Sequence, residues 1–341
     1  MLLRGKAVEP YNQVPPNSVF VTGLTGFIGG YVAQLLVAQI RENTIFALVD
    51  ESDGSDHEID RRVVLSELGI QTIEVDLRNG HLDLEMFRNV SCVLHMAGNV
   101  VTASSDHSVN SISTHLLIDA LGSNHKSSSF IFTSSLAVYD NSQLKGIQTN
   151  ELTKIRKPLS RYGRSKADSE LIIASAAKNV STMRTIIVRV PSVFGRGSRV
   201  GGLFGTFDSL VTNRSVLSAL NYPGRTAVVS VERLAQFLVN IVANEISESP
   251  LFAKDTVYLP VSEIVSYREL LQRSAKAMRV DLSVIRIPGV IWSAVRLLVR
   301  ILIRFEKVLP HFVHNKLWQF YLLTSDGFYC EPTSTHFDYA V

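Results

Sequence analysis

Tyr162 and Lys166 stand four residues apart, at the start of a stretch of helical periodicity that runs to Ala177. At this spacing two side chains project from the same face of a helix. A lysine ammonium beside a phenol favours the phenolate and lowers the pKa of the tyrosine, which makes it a proton donor and acceptor near neutral pH. The pair therefore predicts acid–base chemistry at Tyr162, supported by Lys166. Taken alone, this spacing is common by chance and more often belongs to a solvated helix face.

A serine ends a short apolar run in Phe130-Ile-Phe-Thr-Ser-Ser135. We expect this run to form a buried strand, and open α/β sheets place their ligands outside the carboxyl ends of their strands. Ser135 would then lie where its hydroxyl can hydrogen-bond a reacting carbonyl or hydroxyl group. We predict that Ser135, Tyr162 and Lys166 form the catalytic set, and that Ser135 also binds the substrate.

A glycine-rich turn links the apolar run Val19–Thr22 to a predicted helix over Tyr31–Ile40. Gly23 allows a tight turn, Gly26 lets the backbone approach a diphosphate, and Gly29 permits close packing of the helix on the strand. The helix N-terminus would then point at the phosphates. We predict a dinucleotide site here; an ordinary strand-to-helix turn is the alternative. The predicted cofactor-binding residues of the turn are Gly23, Thr25, Gly26, Phe27, Ile28 and Gly29.

Acidic residues end two further predicted strands. Asp50 follows Gly29 by about 20 residues, where a carboxylate can accept hydrogen bonds from an adenosine ribose and would repel a 2′-phosphate. This favours NAD over NADP. Asp76 and Leu77, after the third strand, are expected to flank the adenine. The alternatives are that Asp50 only opens an acidic, turn-rich surface loop, Asp50–Asp60, and that residues 76 and 77 form a plain turn.

Short β-branched runs alternate with helical stretches, which is the pattern of repeated βαβ units. The sequence predicts a Rossmann-type α/β fold, a doubly wound parallel sheet, with a smaller C-terminal α/β lobe. We divide the chain into an N-terminal extension (1–17), the dinucleotide-binding domain with the catalytic residues (18–190), and a mainly substrate-binding lobe (191–341) with segments that return to that domain. The predicted strands are Ser18–Thr22, Thr44–Val49, Gln71–Val75, Cys92–His95, Phe130–Thr133 and Thr185–Arg189.

Composition excludes several classes of function. The 341 residues carry 34 basic and 31 acidic side chains, interspersed, for a net charge of +3, so nucleic acid is not an expected partner. The two cysteines, Cys92 and Cys330, are too few for a disulfide framework, and His311 and His314 lack further ligands, so no metal is predicted. The N-terminus lacks signal-peptide features, which predicts a cytoplasmic protein.

An amphipathic helix is predicted from Ile287 to Phe305, with Arg296, Arg300 and Arg304 on one stripe and aliphatic residues elsewhere. The cationic stripe could lie on an anionic membrane surface, which would give a peripheral membrane contact through residues 288–305. The competing interpretation is packing within the core or against another subunit. Because the arginines interrupt the apolar run, we do not expect it to span a bilayer.

In this order, the motifs resemble the extended short-chain dehydrogenase/reductase family, in its NAD-dependent epimerase/dehydratase branch, over roughly residues 18–243. The resemblance implies that Tyr162 is the general acid/base, that Lys166 also binds the nicotinamide ribose, and that Ser135 polarises the substrate oxygen. The matching landmarks are Thr22-Gly-Leu-Thr-Gly-Phe-Ile-Gly29, Asp76-Leu77, His95-Met-Ala-Gly98, Asn110 with Thr114, Ser134-Ser-Leu-Ala-Val-Tyr139, Tyr162 with Lys166, and Arg189 with Val193-Phe-Gly195.

The resemblance also implies the substrate class, a nucleotide-activated sugar, handled by either a 4-epimerase or a keto-sugar reductase. It implies a homodimer and a substrate diphosphate contact at Arg225, whose position is shifted by about one residue from the family pattern. The segment that directly follows the sixth strand would approach the nicotinamide, and the turn after the fourth strand would line the cofactor crevice. The implied cofactor contacts are Met96, Ala97, Gly98, Pro191 and Val193.

Departures from the family pattern leave alternatives open. Leu136 and Ala137 follow Ser135 at a place where several dehydratases of the family carry an acidic residue, so a sugar dehydratase is disfavoured. A hydroxysteroid or isoprenoid alcohol dehydrogenase would suit the hydrophobic C-terminal helix. A non-catalytic dinucleotide-binding sensor is the third possibility, against which stands the presence of all three catalytic residues.

Overall fold

The computed structural model describes residues 14–40, 45–50, 55–78, 82–102, 104–123, 127–141, 150–197, 203–247 and 256–325. The strands are β1 (Ser18–Thr22), β2 (Ile45–Asp50), β3 (Gln71–Val75), β4 (Val90–His95), β5 (Ser128–Ser135), β6 (Met183–Val190), β7 (Ser192–Phe194), β8 (Arg225–Ser230), β9 (Thr256–Tyr258) and β10 (Glu263–Ser266). The helices are α1 (Phe27–Gln39), α2 (Asp56–Glu67), α3 (Ser108–Gly122), α4 (Arg161–Asn179), α5 (Leu203–Thr212), α6 (Val216–Ala219), α7 (Val231–Glu245), α8 (Tyr267–Met278), α9 (Gly289–Ile303) and α10 (His311–Leu323).

Seven strands form one parallel sheet in the order β3-β2-β1-β4-β5-β6-β9. The strand order reverses between β1 and β4, and such a reversal opens a crevice at the carboxyl ends of the strands, where open α/β sheets bind their ligands. The predicted Rossmann-type fold is therefore confirmed. All six predicted strands are present, with ends that lie within two residues of the predicted ones.

Helices cover both faces of this sheet, which explains why its strands are almost continuously apolar. On one face, Val32 and Leu36 of α1 pack with Leu234 and Leu238 of α7. On the other, α3 and α4 pack over the aromatic side chains of β1 and β5. With both faces covered by helices, the crevice at the carboxyl ends of the strands is the expected place for a ligand.

A smaller sheet with the order β10-β8-β7 continues the chain beyond β6. Its helices α5, α8, α9 and α10 enclose a separate apolar cluster that includes Phe207, Tyr267, Trp292 and Trp318. Helix α7 and strand β9, in contrast, join the large sheet. We retain the division of the chain after residue 190 as a proposal.

Two helices begin earlier than the sequence indicated. Helix α1 begins at Phe27 with Gly26 as its N-cap, although we predicted a start at Tyr31. The predicted acidic loop ends early because Ser55 caps α2: its side chain accepts a hydrogen bond from the Glu58 backbone N–H. Residues 51–54 of that loop lie outside the described residues.

The described residues contain no helix that is both long enough and apolar enough to cross a bilayer. Cys92 is fully buried, and burial raises the pKa of its thiol. Cys330 lies outside the described residues, as does most of the predicted N-terminal extension; of the latter, Val14 packs in the core beneath the sheet.

Asp140 ties the large sheet to the C-terminal lobe. It lies after the 3₁₀ turn that follows β5 and is buried. Its carboxylate accepts hydrogen bonds from the backbone N–H groups of Leu159 and Ser160, at 2.7 and 3.0 Å, and from the Ser160 hydroxyl at 2.9 Å. The indole N–H of Trp318 in α10 donates to the same carboxylate at 2.9 Å. One side chain thus links β5, the start of α4 and α10.

We predict that Asp140→Asn destabilises the protein by about 2–4 kcal/mol, because the amide NH2 would face a hydrogen-bond donor at a buried site. Chemical denaturation measures the change. Asp119→Asn is the matched control, since that carboxylate is exposed and its replacement should stay within about 0.5 kcal/mol. Equal stabilities of the two variants would contradict the role given to Asp140.

Candidate active site

The glycine turn brings two backbone segments into closer contact than a side chain would allow. Gly23 has a φ of +79°, and a Cβ there would lie 2.8 Å from the Ala97 backbone nitrogen. A Cβ on Gly29 would lie 2.1 Å from the Gly23 carbonyl oxygen. The turn therefore lies directly against the segment after β4 and against the first turn of α1. Because these positions carry no side chain, the backbone of the turn is not covered by one at Gly23 or Gly29.

The N-terminus of α1 fits an anionic group. Its N-cap, Gly26, offers no side-chain hydrogen bond, and its first turn carries no acidic residue. Thr25, Phe27 and Ile28 are all partly exposed beside it. Since the first N–H groups of a helix have no partner within the helix, this end can accept the diphosphate of a dinucleotide.

The segment after β4 is fixed by Thr22. Its hydroxyl oxygen accepts hydrogen bonds from the backbone N–H groups of Met96 and Ala97, at 3.1 and 3.0 Å. The next residue, Gly98, is exposed, and a Cβ there would lie 3.6 Å from the Lys166 ammonium nitrogen. The predicted cofactor crevice and the predicted catalytic lysine are therefore adjacent.

The two predicted acidic residues lie at the same edge of the sheet. Asp50 pairs with Val75 in the β2–β3 ladder, so Asp76 follows beside it. Arg78, which was not singled out from the sequence, contacts both residues. Its guanidinium lies 3.4 Å from the Asp50 carboxylate, and its backbone N–H donates a hydrogen bond to the Asp76 carboxylate at 2.8 Å. Leu77, between them, packs against the core.

Ser135, Tyr162 and Lys166 converge at the carboxyl end of β5. The Tyr162 phenol lies close enough to the Ser135 hydroxyl for that hydroxyl to favour its ionised form. One helical turn later, the Lys166 ammonium group donates to the Thr133 carbonyl at 2.9 Å and lies 4.6 Å from the centre of the Phe132 ring. The predicted helix is thus confirmed, and the structure places its first turns beside the carboxyl end of β5.

The predicted direction of the Tyr162 pKa is wrong for the protein without its cofactor. Burial raises the pKa of the phenol, and the nearby Ser135 hydroxyl offsets only part of this rise. Burial also lowers the pKa of Lys166 to about 8, against an opposing effect of Glu170. The sequence showed the pairing of the two side chains, whereas the sign of the shift follows from their removal from water.

An ion pair that the sequence analysis missed holds α4 against the sheet. Glu170 lies one further turn along α4 from Lys166 and pairs with Arg189 of β6, with a closest distance of 2.7 Å. The Ser134 hydroxyl donates to Glu170 at 2.5 Å, and Arg189 also donates to the hydroxyl of Tyr139. The detectable signal was the spacing of positions 162, 166 and 170, which puts all three on one face.

His107 is a second residue that the sequence analysis missed. Its buried ring lies 5.7 Å, between ring centres, from that of Tyr162. Its Nδ1 lies 3.0 Å from the Asn99 carbonyl oxygen, so Nδ1 carries the proton. Nε2 has no hydrogen-bond partner within the described part of the chain, and burial lowers the pKa of the ring. No pattern in the sequence marked this position.

The other predicted contacts lie after β6. Pro191 is buried and Val193 half-buried, and the chain then turns back to α1, where the Tyr31 hydroxyl donates to the Arg196 carbonyl at 2.9 Å. Arg225 is the first residue of β8, half-buried and opposite Ser266 in the smaller sheet. Its contact with a substrate diphosphate stays a prediction.

The fold and the glycine turn define a dinucleotide-binding α/β protein. The model of the NAD-dependent epimerase/dehydratase family matches residues 19–219. The chain belongs to this family, which confirms the predicted resemblance and the predicted cofactor, NAD.

Known proteins resemble the chain to different extents. It is 29% identical over 194 residues to the decarboxylating sterol-4-alpha-carboxylate 3-dehydrogenase of Dictyostelium discoideum. This alignment covers 54% of this chain and 55% of that protein. It is 26% identical over 296 residues to a UDP-glucose 4-epimerase of Vibrio cholerae, covering 81% and 80%. The chain thus spans about half the length of the first relative and four fifths of the second.

A solved structure shows the same fold. The UDP-glucuronic acid 4-epimerase of Bacillus cereus, in complex with UDP-glucuronic acid and NAD, superposes with a TM-score of 0.63 at 19% identity, covering 79% of this chain and 86% of that chain. This likeness concerns the arrangement of helices and strands, and the roles of individual side chains rest on their own geometry.

Burial of Lys166 predicts an unusual pH dependence of stability. Its pKa is about 8 in the folded protein and ordinarily 10.5, so between these values the unfolded chain holds more protons. The free energy of unfolding of the cofactor-free protein should therefore rise from pH 8 to pH 10.5, by about 3 kcal/mol from this residue. Denaturation across this range should show the rise in the wild type.

Lys166→Met should lack this contribution, because methionine carries no proton to lose. Lys178→Met is the control, since Lys178 is exposed near the end of the same helix and its replacement should leave the rise in place. Parallel pH profiles for the wild type and Lys166→Met would show that Lys166 does not titrate as its burial implies.

Proposed function

We propose that the protein transfers hydride between NAD and one carbon of a nucleotide-activated sugar, as a 4-epimerase or a keto-sugar reductase. The observation that carries the proposal is that Tyr162 lies beside Ser135, one helical turn from a buried Lys166 that adjoins the cofactor crevice at Gly98. Tyr162 would carry the proton, Ser135 would bind the substrate oxygen and Lys166 would supply the positive charge, all at the carboxyl end of β5.

The residues around the crevice suit the parts of NAD. The α1 N-terminus, with Gly23, Gly26 and Gly29, would hold the diphosphate. Asp50 would accept hydrogen bonds from the adenosine ribose, and Lys166 would donate to the nicotinamide ribose. When bound, NAD supplies the acceptor and donor of the hydride.

The substrate hydroxyl would lie between Ser135 and Tyr162. Ser135 would donate a hydrogen bond to the substrate oxygen. Tyr162 would take the hydroxyl proton in its phenolate form, which burial disfavours in the cofactor-free protein, as the hydrogen on the same carbon leaves as hydride to NAD. The products of this half-reaction are a ketone and a neutral tyrosine. In the reverse direction, Tyr162 returns the proton to the oxygen as hydride adds to the carbonyl carbon.

Nucleotide sugars are supported by the relatives, since the Vibrio cholerae protein is named a UDP-glucose 4-epimerase. Dehydration is disfavoured by the residues after Ser135: Leu136 and Ala137 are both buried and apolar, so they provide no acid for the loss of water. A homodimer that includes α4 remains an expectation from the family resemblance.

A sterol or isoprenoid alcohol is the second candidate substrate. The specific observation in its favour is the match to sterol-4-alpha-carboxylate 3-dehydrogenase. Both candidates use the same Ser135, Tyr162 and Lys166, so the choice between them depends on the substrate lobe.

The experiment is a screen of UDP-sugars, dTDP-sugars and sterols for a change in nicotinamide absorbance or for epimerised product. Tyr162→Phe should lower kcat by about 10²–10⁴-fold with little change in NAD affinity, because only the proton transfer is lost. Tyr321→Phe, in α10, is the control and should retain activity. Undiminished turnover in Tyr162→Phe would remove the mechanism, and a sensor without turnover would show NAD binding with no product from any compound.

Cofactor choice provides a separate prediction. Asp50→Ser should raise the affinity for NADP relative to NAD at least about tenfold, because it removes the repelling carboxylate and releases the neighbouring Arg78 for a 2′-phosphate. Titration calorimetry with both cofactors measures the ratio. Adding Arg78→Ala should cancel the gain; a ratio unaffected by Asp50→Ser would contradict the role given to Asp50.

A further inference from the structure

Helix α9 turns its aliphatic side chains toward solvent. Its buried face consists of Trp292, Val299 and Ile303, which pack in the core of the C-terminal lobe. On the outer face, Leu297 is 62% exposed and Leu298 57% exposed. A surface helix that only packs in a fold normally shows the opposite arrangement, with polar residues outward.

The three arginines of α9 do not form the outer stripe that the sequence predicted. Arg296 and Arg300 are half-buried and lie near Tyr321 of α10: burial raises the pKa of this tyrosine, and the two guanidinium groups offset part of the rise. Arg304, just after the helix, is exposed. The arginines thus flank the apolar outer face instead of opposing it.

The exposed apolar residues continue past the end of α9. Helical-type turns continue there, with backbone hydrogen bonds from the Phe305 N–H to the Leu302 carbonyl and from the Val308 N–H to the Phe305 carbonyl. Val308 is 80% exposed, and Phe312, at the start of α10, is 71% exposed. We define the apolar ridge as Leu297, Leu298, Ile301, Phe305, Val308 and Phe312.

Positive charge surrounds the ridge. Residues 282–325 contain six arginines and lysines and one carboxylate, Glu306. That carboxylate is already paired with Arg161 and Arg164, at 3.0 and 2.6 Å. Of the flanking cations, Arg304 and Lys307 are exposed to solvent next to the apolar ridge.

We propose that the apolar ridge docks the protein on the surface of an anionic lipid bilayer. Large exposed apolar patches mark binding surfaces, and an apolar helix face flanked by arginine and lysine matches the boundary between acyl chains and acidic headgroups. With 15 residues, α9 is about 22 Å long, shorter than the bilayer core of about 30 Å, so it would lie in the plane of the surface.

A second copy of the chain is a poorer match for the ridge. In a two-fold contact the same patch meets itself, which would bring Arg304 and Lys307 of one copy close to those of the other with no free carboxylate of residues 282–325 between them. Acidic headgroups supply the missing negative charge. Glu306 also connects this surface to the first turn of α4, so a docked bilayer would lie near the catalytic helix.

Flotation of the full-length protein with vesicles tests the proposal. We expect binding to phosphatidylcholine vesicles that contain phosphatidylglycerol, at least tenfold weaker binding to pure phosphatidylcholine, and loss of binding at high salt. The variant Leu298→Glu with Ile301→Glu should bind the anionic vesicles at least tenfold more weakly. Replacing Arg304 and Lys307 by glutamine should weaken binding while leaving the ridge intact.

Leu152→Glu is the matched control, because Leu152 is 92% exposed and distant in sequence from the ridge, and it should bind as the wild type does. Thermal unfolding of every variant verifies that it is folded. The proposal is overturned if the wild type ignores anionic vesicles or if the ridge variant binds them equally well. A third outcome also overturns it: light scattering shows that the wild type is a dimer and the ridge variant a monomer, and neither binds vesicles. A second copy would then occupy the ridge.

Discussion

The burial of Lys166 is the constraint on which the site depends. An ammonium group removed from water is costly unless it finds compensating partners, and here these are the Thr133 carbonyl and the face of the Phe132 ring. Glu170 adds an opposing charge one turn further along α4. Because both contacts belong to β5, α4 has one position against the sheet in which its lysine is satisfied. That position brings Tyr162 to Ser135.

The predicted cofactor crevice depends on close contact between the turn after β1 and the segment after β4. Gly23 has no room for a side chain beside Ala97, and Thr22 holds the same segment by two hydrogen bonds. The two walls of the crevice, the turn after β1 and the segment after β4, are therefore fixed to each other before any ligand binds. Gly98 extends the second wall to Lys166, so the predicted cofactor site and the predicted catalytic site adjoin each other.

Much of this arrangement could be predicted from the sequence because its signals are local. Buried parallel strands are short apolar runs, and a tight turn against backbone requires glycine. Contacts between distant segments are harder to predict. Spacing puts Glu170 on the same helix face as Tyr162 and Lys166, but nothing local pairs it with Arg189 of β6, and nothing local brings His107 to Tyr162. The pKa of Tyr162 was predicted in the wrong direction because pairing can be inferred from spacing, whereas desolvation depends on the assembled fold.

The orientation of α9 is another property that depends on the assembled fold and not on a local sequence signal. A stripe of arginines every four residues indicates an amphipathic helix, but the pattern does not say which side faces the core. Here Trp292 and the residues that follow it on that face fill the lobe, and the arginines flank them with their aliphatic stems partly covered. Trp318, which packs in the same cluster, donates to Asp140, and Glu306 pairs with both arginines around Tyr162. The lobe that carries the exposed apolar ridge is thus joined by buried and half-buried polar contacts to the helix that carries Tyr162, the proposed acid–base residue.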